Sequence, residues 1–267
     1  MDRRPKEEIP YYFAPGKRLL QIVVQLPEKH GVLGEVLSQL EKKVRLVGTT
    51  TYRLPDGTVM VSVVAETQSE EETPERIGRL LKSAGALDSE VFEGTDGILV
   101  DTFHSGLATG AEYLVQFRRL AVTRLIDRIH MLLGNGADVL LFEGGASLGR
   151  SNAEELVRSL GAGTVRKTVD YLMKGLAAQG LGTVTRKGAT GDEGSTLVVR
   201  DCFECSSNES KRTGCNFFRG YLVGSSSAVA GGEFTVEETR CRLTGGEACE
   251  FRIEPKSKPT VRGVGLR

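Results

Sequence analysis

The sequence of 267 residues has no tryptophan, few histidines and no long apolar run. A membrane-spanning helix needs about 18 or more consecutive apolar residues, and no segment supplies them. The first eight residues, Met1 to Glu8, also lack the apolar core of a signal peptide. We therefore expect a cytoplasmic protein without a membrane span.

The chain also lacks a surplus of either charge, because 35 Lys and Arg residues balance 35 Asp and Glu residues. A surface devoted to nucleic acid or to an anionic membrane would give a basic bias. No helix-turn-helix pattern or nucleotide-binding phosphate loop is evident either. We expect no direct binding to nucleic acid, and we expect the locally basic residues 256–267 to form a solvated tail.

A catalytic constellation is missing as well. The histidines His30, His104 and His130 are scattered, and no Ser or Cys lies in a nucleophile motif. The sequence therefore favours a binding or regulatory protein, with an enzyme or enzyme accessory as the alternative.

Residues 19–93 carry alternating strand and helix patterns. Thr73 followed by Pro74 is typical of a helix start, and Pro55-Asp56-Gly57 is typical of a hairpin turn. The predicted strands are Leu19–Leu26, Val44–Leu54, Val59–Val64 and Leu87–Glu93, with helices after the first and third. This βαββαβ order predicts a ferredoxin-like domain.

With Gly31-Val-Leu33 after its first strand, this segment resembles an ACT domain, a regulatory module that often binds amino acids at a dimer interface. The resemblance implies an effector loop at His30, Gly31 and Val32 and a homodimer. The usual acidic-Pro-Gly entry is replaced here by Pro27-Glu-Lys-His-Gly31. We expect residues 1–18 to be an N-terminal arm and residues 94–112 a linker.

Residues 113–255 form the second predicted domain, in which helical patterns precede β patterns. Helices are predicted over Phe117–Leu133, Ala137–Leu148 with glycines inside it, a short segment opened by a Ser151-x-x-Glu154 capping box, and Thr164–Leu176. After Gly182 the pattern predicts strands, a helix from Cys215, and a final hairpin around Gly245-Gly246.

Thiol and carboxylate side chains concentrate in the last part of this domain. Cys215, Glu238, Cys241 and Cys249 supply three thiols and one carboxylate, which are ligands typical of zinc. Glu238 and Cys241 would point to opposite faces of a regular strand, so both reach one ion only if the strand bulges near Thr239–Arg240. The alternative is that these cysteines are small buried hydrophobic residues.

The same region resembles the 4-vinyl-reductase, or hydrocarbon-binding, domain. The residues that carry the resemblance are Cys215, Phe218, Gly220–Gly224, Glu238–Cys241, Gly245–Cys249 and Phe251. It implies an α+β fold like that of the vesicle-tethering TRAPP subunits, with helices packed on a small antiparallel sheet. It also implies a zinc held by three cysteines and one glutamate, as in related aromatic-responsive sensors.

A site with four protein ligands is closed and therefore structural. The resemblance then implies that function lies in a small apolar pocket between the helices. Candidate ligand-binding residues are Ile126, His130, Phe142 and Tyr171. The aromatic-responsive sensors use a tryptophan to hold phenol, and this chain has none.

Cys202 and Cys205 form an additional Cys-x-x-Cys pair. They could replace Glu238, hold a second ion, act as a redox pair or help bind an iron–sulfur cluster. The sequence thus predicts a ligand-sensing regulatory protein with a structural zinc and a small apolar ligand, and a regulatory protein is a further candidate partner. A cysteine-based redox or iron–sulfur sensor is the alternative.

Overall fold

The computed structural model describes residues 11–67, 69–104, 106–109, 112–160, 165–187, 195–206 and 214–256. The chain divides into two compact units, residues 1–115 and 116–267. The predicted basic tail lies outside the described residues, apart from Lys256.

The N-terminal unit is built on a four-stranded antiparallel sheet with two helices. Its elements are β1 (Tyr11–Phe13), β2 (Arg18–Leu26), α1 (Val32–Glu41), β3 (Arg45–Arg53), β4 (Val59–Thr67), α2 (Pro74–Ser83), β5 (Asp88–Glu93), β6 (Ile98–Val100), β7 (Leu107–Thr109) and β8 (Glu112–Leu114). The main sheet has the order β3-β4-β2-β5. This confirms the predicted βαββαβ arrangement.

Strand alternation explains how this unit buries its core. Leu20, Ile22, Val24 and Leu26 recur every second residue of β2 and are fully buried. They pack in one cluster with apolar residues of both helices, including Leu40 and Leu81. Thr73 caps α2 by accepting a hydrogen bond from the Arg76 N–H, as the Thr-Pro pair predicts.

The segment 94–112, expected to be a linker, contains short strands. β6 pairs with β1, and β7 pairs with β8. Between these pairs, Asp101 accepts hydrogen bonds from the Gln21 amide at 2.6 Å and from the Phe103 N–H at 3.1 Å. Its second oxygen lies 2.7 Å from His104 Nδ1, while His104 Nε2 lies 3.0 Å from the Tyr52 hydroxyl. His104 is therefore part of a polar network with Asp101 and Tyr52.

The C-terminal unit combines three helices, a four-stranded sheet and a fourth helix. Its elements are α3 (Arg119–Leu133), α4 (Gly136–Leu160), α5 (Val165–Ala178), β9 (Thr183–Lys187), β10 (Ser195–Arg200), α6 (Asn216–Ala230), β11 (Phe234–Arg240) and β12 (Cys249–Pro255). The antiparallel sheet has the order β11-β12-β10-β9. This α+β arrangement confirms the predicted fold class.

Helices α4 and α6 approach each other through glycines. Gly145 and Gly149 of α4 lie against the backbone of α6, and Gly220 and Gly224 of α6 lie against the backbone of α4. A Cβ at any of these positions would overlap a carbonyl oxygen of the opposite helix. Small residues spaced four apart permit such close contact between helix backbones.

This crossing corrects two predictions. The predicted helix end at Leu148 was wrong, and so was the predicted start of a separate helix at Ser151-x-x-Glu154. Helix α4 runs unbroken through both segments. The glycines are retained by contact with α6 and do not interrupt the helix. Tertiary packing here outweighs their low helix propensity.

Among the helices that the structure describes, none combines the length and apolar character needed to cross a bilayer.

Replacing Gly145 by alanine should destabilise the C-terminal unit, because the new methyl group would overlap the Phe217 carbonyl oxygen. Overpacking of this kind typically costs about 1–3 kcal/mol or more. Gly144→Ala is a matched control, since nothing lies within 4 Å of its added Cβ. The control should be neutral or stabilising by up to about 1 kcal/mol in thermal unfolding. Equal losses in both variants would contradict the close helix contact.

Candidate metal centre

Four segments of the C-terminal unit bring all five cysteines of the chain together. Cys202 and Cys205 bound a single 3₁₀ turn after β10, Cys215 is the N-cap of α6, Cys241 directly follows β11 and Cys249 begins β12. All five are free thiols, and each is at most 5% exposed. The turn, the helix and the hairpin therefore meet at one buried point.

The sulfur atoms are spaced as the ligands of one metal ion would be. The Cys215 sulfur lies 3.7 Å from that of Cys249, 3.8 Å from that of Cys241 and 3.9 Å from that of Cys202. The Cys205 sulfur lies 3.0 Å from that of Cys215. Tetrahedral ligands at a zinc–sulfur distance of about 2.3 Å are separated by about 3.8 Å. This buried cluster of cysteines could hold a metal ion.

Two overlapping sets of four donors satisfy this geometry. One contains Cys202, Cys205, Cys215 and Cys249; the other contains Cys215, Glu238, Cys241 and Cys249. Within each set, all donor atoms lie within 4.8 Å of one another. The second set is the one predicted from the sequence, and the structure brings its four residues together.

A strand irregularity places Glu238 and Cys241 on the same side. The β11–β12 register shifts between Glu238 and Arg240, which is where the sequence requires a bulge. A bulge adds one residue to a strand and re-aims the side chains that follow it. The Cys241 carbonyl then accepts hydrogen bonds from the Thr244 and Gly246 N–H groups, which closes the turn before β12.

Glu238 reaches the cluster with both of its oxygens in a buried setting. Its Oε2 accepts a hydrogen bond from the Cys215 N–H at 2.7 Å. Its Oε1 is buried without a hydrogen-bond partner among the described residues. Burial raises the pKa of the Glu238 carboxyl to about 8, because a carboxylate is poorly solvated there.

The thiols influence one another strongly. Hydrogen bonds from Cys202, Cys205 and the other neighbouring thiols hold the pKa of Cys249 well below its usual range. Hydrogen bonds from Cys205 and Cys215 lower the pKa of Cys241 to about 6. Hydrogen bonds with Cys202 and neighbouring thiols raise the pKa values of Cys205 and Cys215. Two thiols of the cluster therefore favour the thiolate form that binds metals, and two favour the protonated form.

Glu204 is a structural residue that the sequence analysis missed. It is fully buried inside the Cys-x-x-Cys turn, and its carboxylate accepts hydrogen bonds from the Phe217 and Phe218 N–H groups at 3.2 and 2.9 Å. These groups belong to the first turn of α6, where backbone donors have no partner within the helix. The acidic residue between two cysteines was the available signal, but its partners are 13 and 14 residues away.

The predicted ligand-binding residues lie in different surroundings. Ile126 is buried in the core of the C-terminal unit. His130 Nδ1 lies 3.7 Å from an Asp138 oxygen, and the Phe142 ring lies 5.3 Å from the Arg219 guanidinium. Tyr171 is half exposed on α5. The predicted apolar pocket lined by these four residues therefore stays a prediction.

The predicted effector loop of the N-terminal unit precedes α1. Gly31 is the N-cap of this helix with a left-handed φ of 89°, which favours glycine. His30 is exposed and Val32 is partly buried. The loop geometry thus explains the glycine as a turn residue.

The family of the C-terminal unit follows from its sequence. Residues 196–255 match the model of the V4R domain, and this span contains all five cysteines and Glu238. The chain carries a V4R domain. No curated protein is a recognisable sequence relative of the chain.

Solved structures resemble the chain at low sequence identity. The phenol-responsive sensory domain of the transcription activator PoxR, solved with phenol, is 15% identical, with a TM-score of 0.50 over 85% of this chain and 91% of that one. A trafficking protein particle complex subunit 3 from Naegleria fowleri, covalently bound to palmitic acid, is 14% identical, with a TM-score of 0.40 over 53% of this chain and 98% of that one.

A vinyl-4-reductase family protein from Methanocaldococcus jannaschii is also 14% identical. Its TM-score is 0.37, over 54% of this chain and 85% of that one. The PoxR likeness extends the shared fold beyond the span that the V4R model matches.

Replacing Glu204 by alanine should destabilise the protein, because two buried N–H groups of α6 would lose their acceptor. The expected cost is roughly 1–3 kcal/mol, measured by denaturant unfolding. Glu233→Ala is the control, since its side chain is 79% exposed and pairs only with a surface lysine in the described part of the chain. That change should stay within about 0.5 kcal/mol; an equally mild effect of Glu204→Ala would contradict the capping role.

Proposed function

We propose that this V4R protein is a regulatory protein that senses a small apolar molecule in its C-terminal unit, with a structural zinc ion at the cysteine cluster. The observation that carries the proposal is the V4R domain at residues 196–255. The fold likeness to a phenol-responsive sensory domain over 85% of the chain supports it.

The proposed zinc would cross-link segments that already share one hydrophobic core. Its ligands would come from the start of α6, from the β11–β12 turn and, through the Cys-x-x-Cys pair, from the turn after β10. Four protein ligands leave no coordination position for water or substrate. The ion would therefore hold the sheet to α6 and would not take part in a reaction.

The sulfur spacing favours a single ion over an iron–sulfur cluster. In a [4Fe–4S] cluster each cysteine binds a different iron, and in a [2Fe–2S] cluster two cysteines bind each of two irons. In both, cysteine sulfurs on different irons lie farther apart than the ligands of one ion. The 3.0–3.9 Å separations at Cys205 and Cys215 match a single ion better. An iron–sulfur sensor is therefore the less favoured alternative.

The proposed ligand site lies among α3, α4 and α5. Ile126 and Phe142 would give it apolar walls, and His130 or Tyr171 would supply a polar group. Ligand pockets of this kind are mostly apolar with a few directional polar groups. The chain has no tryptophan, so it would recognise its ligand through contacts other than those by which the aromatic-responsive sensors hold phenol.

Exposed apolar side chains support a proposed homodimer or protein partner. Leu125, Met131 and Leu132 of α3 are 60–75% exposed, and Val139 of α4 is 67% exposed. Apolar patches on a surface often mark interaction sites. The ACT-like N-terminal unit, with its loop at His30, Gly31 and Val32, is the other candidate for dimerisation or effector binding.

Cys249→Ala should release the ion, since Cys249 belongs to both possible donor sets. Elemental analysis of the full chain should give one zinc per wild-type chain and substantially less than one in the variant. Val236→Ala, a core change in the neighbouring strand, controls for destabilisation and should keep its zinc. Full metal retention by Cys249→Ala would refute the site.

Small apolar molecules should raise the melting temperature of the wild-type protein. A ligand at 100 times its dissociation constant stabilises the folded state by about 2.7 kcal/mol. His130→Ala should reduce the shift given by the best aromatic or acyl compound, whereas His30→Ala, an exposed change in the other unit, should not. A broad screen without any shift would contradict the sensing role.

A further inference from the structure

We propose that the ion is held by four thiolates, from Cys205, Cys215, Cys241 and Cys249, and that Glu238 caps α6 without binding the metal. This inference rests on the proposed metal site and changes its fourth ligand. It assigns one cysteine of the Cys-x-x-Cys pair to the ion and leaves Cys202 outside the coordination sphere.

The four sulfurs form a compact donor set, in which five of the six sulfur–sulfur distances are 3.8 Å or less. Cys205 lies 3.0 Å from Cys215, 3.5 Å from Cys249 and 3.8 Å from Cys241, sulfur to sulfur. Cys215 lies 3.8 Å from Cys241 and 3.7 Å from Cys249. The sixth pair, Cys241 and Cys249, lies within 4.8 Å. Five of the six edges thus come within 0.8 Å of the roughly 3.8 Å edge of a zinc tetrahedron.

Glu238 already has a structural task. Cys215 is the N-cap residue of α6, and its N–H is held by Glu238 Oε2 at 2.7 Å. A carboxylate at the start of a helix is stabilised by the helix dipole and satisfies a backbone donor. Its free Oε1 is the competitor for the ion, so the experiment must separate the two roles.

A pair of ions bridged by Cys215 and Cys249 is the other arrangement that the two donor sets allow. It would place Cys205 on one ion and Cys241 on the other, at the outer corners of two tetrahedra that share an edge. Such outer sulfurs are more than about 5 Å apart at zinc–sulfur bonds of about 2.3 Å. The observed separation of Cys205 and Cys241 is 3.8 Å, which favours one ion.

Cys202 and Cys205 make a matched pair of variants. Both thiols are buried in the same turn, and the Cys202 carbonyl closes that turn by accepting a hydrogen bond from the Cys205 N–H. The Cys202 sulfur is 3.9 Å from that of Cys215. The Cys205 sulfur, in contrast, lies within 3.8 Å of three other sulfurs, so Cys202→Ser and Cys205→Ser make the same chemical change outside and inside the proposed ligand set.

The test is cobalt substitution of the full chain, followed by absorption spectroscopy and metal titration. Cobalt bound by four thiolates absorbs at lower energy, with stronger thiolate charge transfer, than cobalt bound by three thiolates and a carboxylate. Wild type, Glu238→Gln and Cys202→Ser should share the four-thiolate spectrum with one cobalt per chain. Cys205→Ser should lose that spectrum and bind cobalt at least about tenfold more weakly.

The remaining outcomes each count against a defined part of the proposal. A spectrum that changes in Glu238→Gln but not in Cys205→Ser would make Glu238 the fourth ligand, and two cobalt ions per chain would establish the bridged pair. A wild-type chain that binds no metal would overturn the proposed zinc site itself. If Cys205→Ser fails to fold, X-ray absorption of the zinc-loaded wild type decides, with four sulfur neighbours expected and three contradicting the assignment.

Discussion

The close contact between α4 and α6 is the constraint on which the C-terminal unit depends. Four glycines let two helix backbones touch, and this contact fixes the position of α6. The first residue of α6 is preceded by Cys215, which belongs to both donor sets. An added methyl group at one of these glycines would push α6 away from α4 and would move the Cys215 thiol away from the other thiols. The geometry of the candidate metal centre is thus set in part by residues that bear no functional group.

The cysteine cluster and the V4R domain lie in one span of sequence, whereas the proposed ligand site lies mostly before it. The residues matched by the family model begin at 196, but Ile126, Phe142 and Tyr171 belong to α3, α4 and α5. The cysteine cluster therefore lies inside the span that matches the V4R model, and the residues of the proposed ligand site lie in helices that precede that span. Proteins that share this fold could bind different ligands while they keep the same sheet and cysteine cluster.

Local patterns predicted the strands, the ferredoxin-like order and the bulge between Glu238 and Arg240, because strand alternation and turn chemistry are visible over a few residues. They failed where distant segments meet. Gly145 suggests a helix break until α6 is placed against it, and Glu204 is unremarkable until the amides of Phe217 and Phe218 are beside it. The apolar residues of α3 also cover a wider part of the helix surface than the part that is buried, since Leu125 and Leu132 are exposed while Ile126 is buried. Periodicity cannot say which apolar residues a neighbour covers.

The buried carboxylates at the start of α6 have an energetic consequence. Glu204 and Glu238 lie beside buried thiols of which Cys241 and Cys249 have lowered pKa values, so the deprotonated groups there lie in a region that excludes water. A cation that binds there stabilises only the folded chain, and each tenfold rise in its free concentration adds about 1.4 kcal/mol once the site is saturated. The folding equilibrium of this protein would then follow the metal supply of its surroundings.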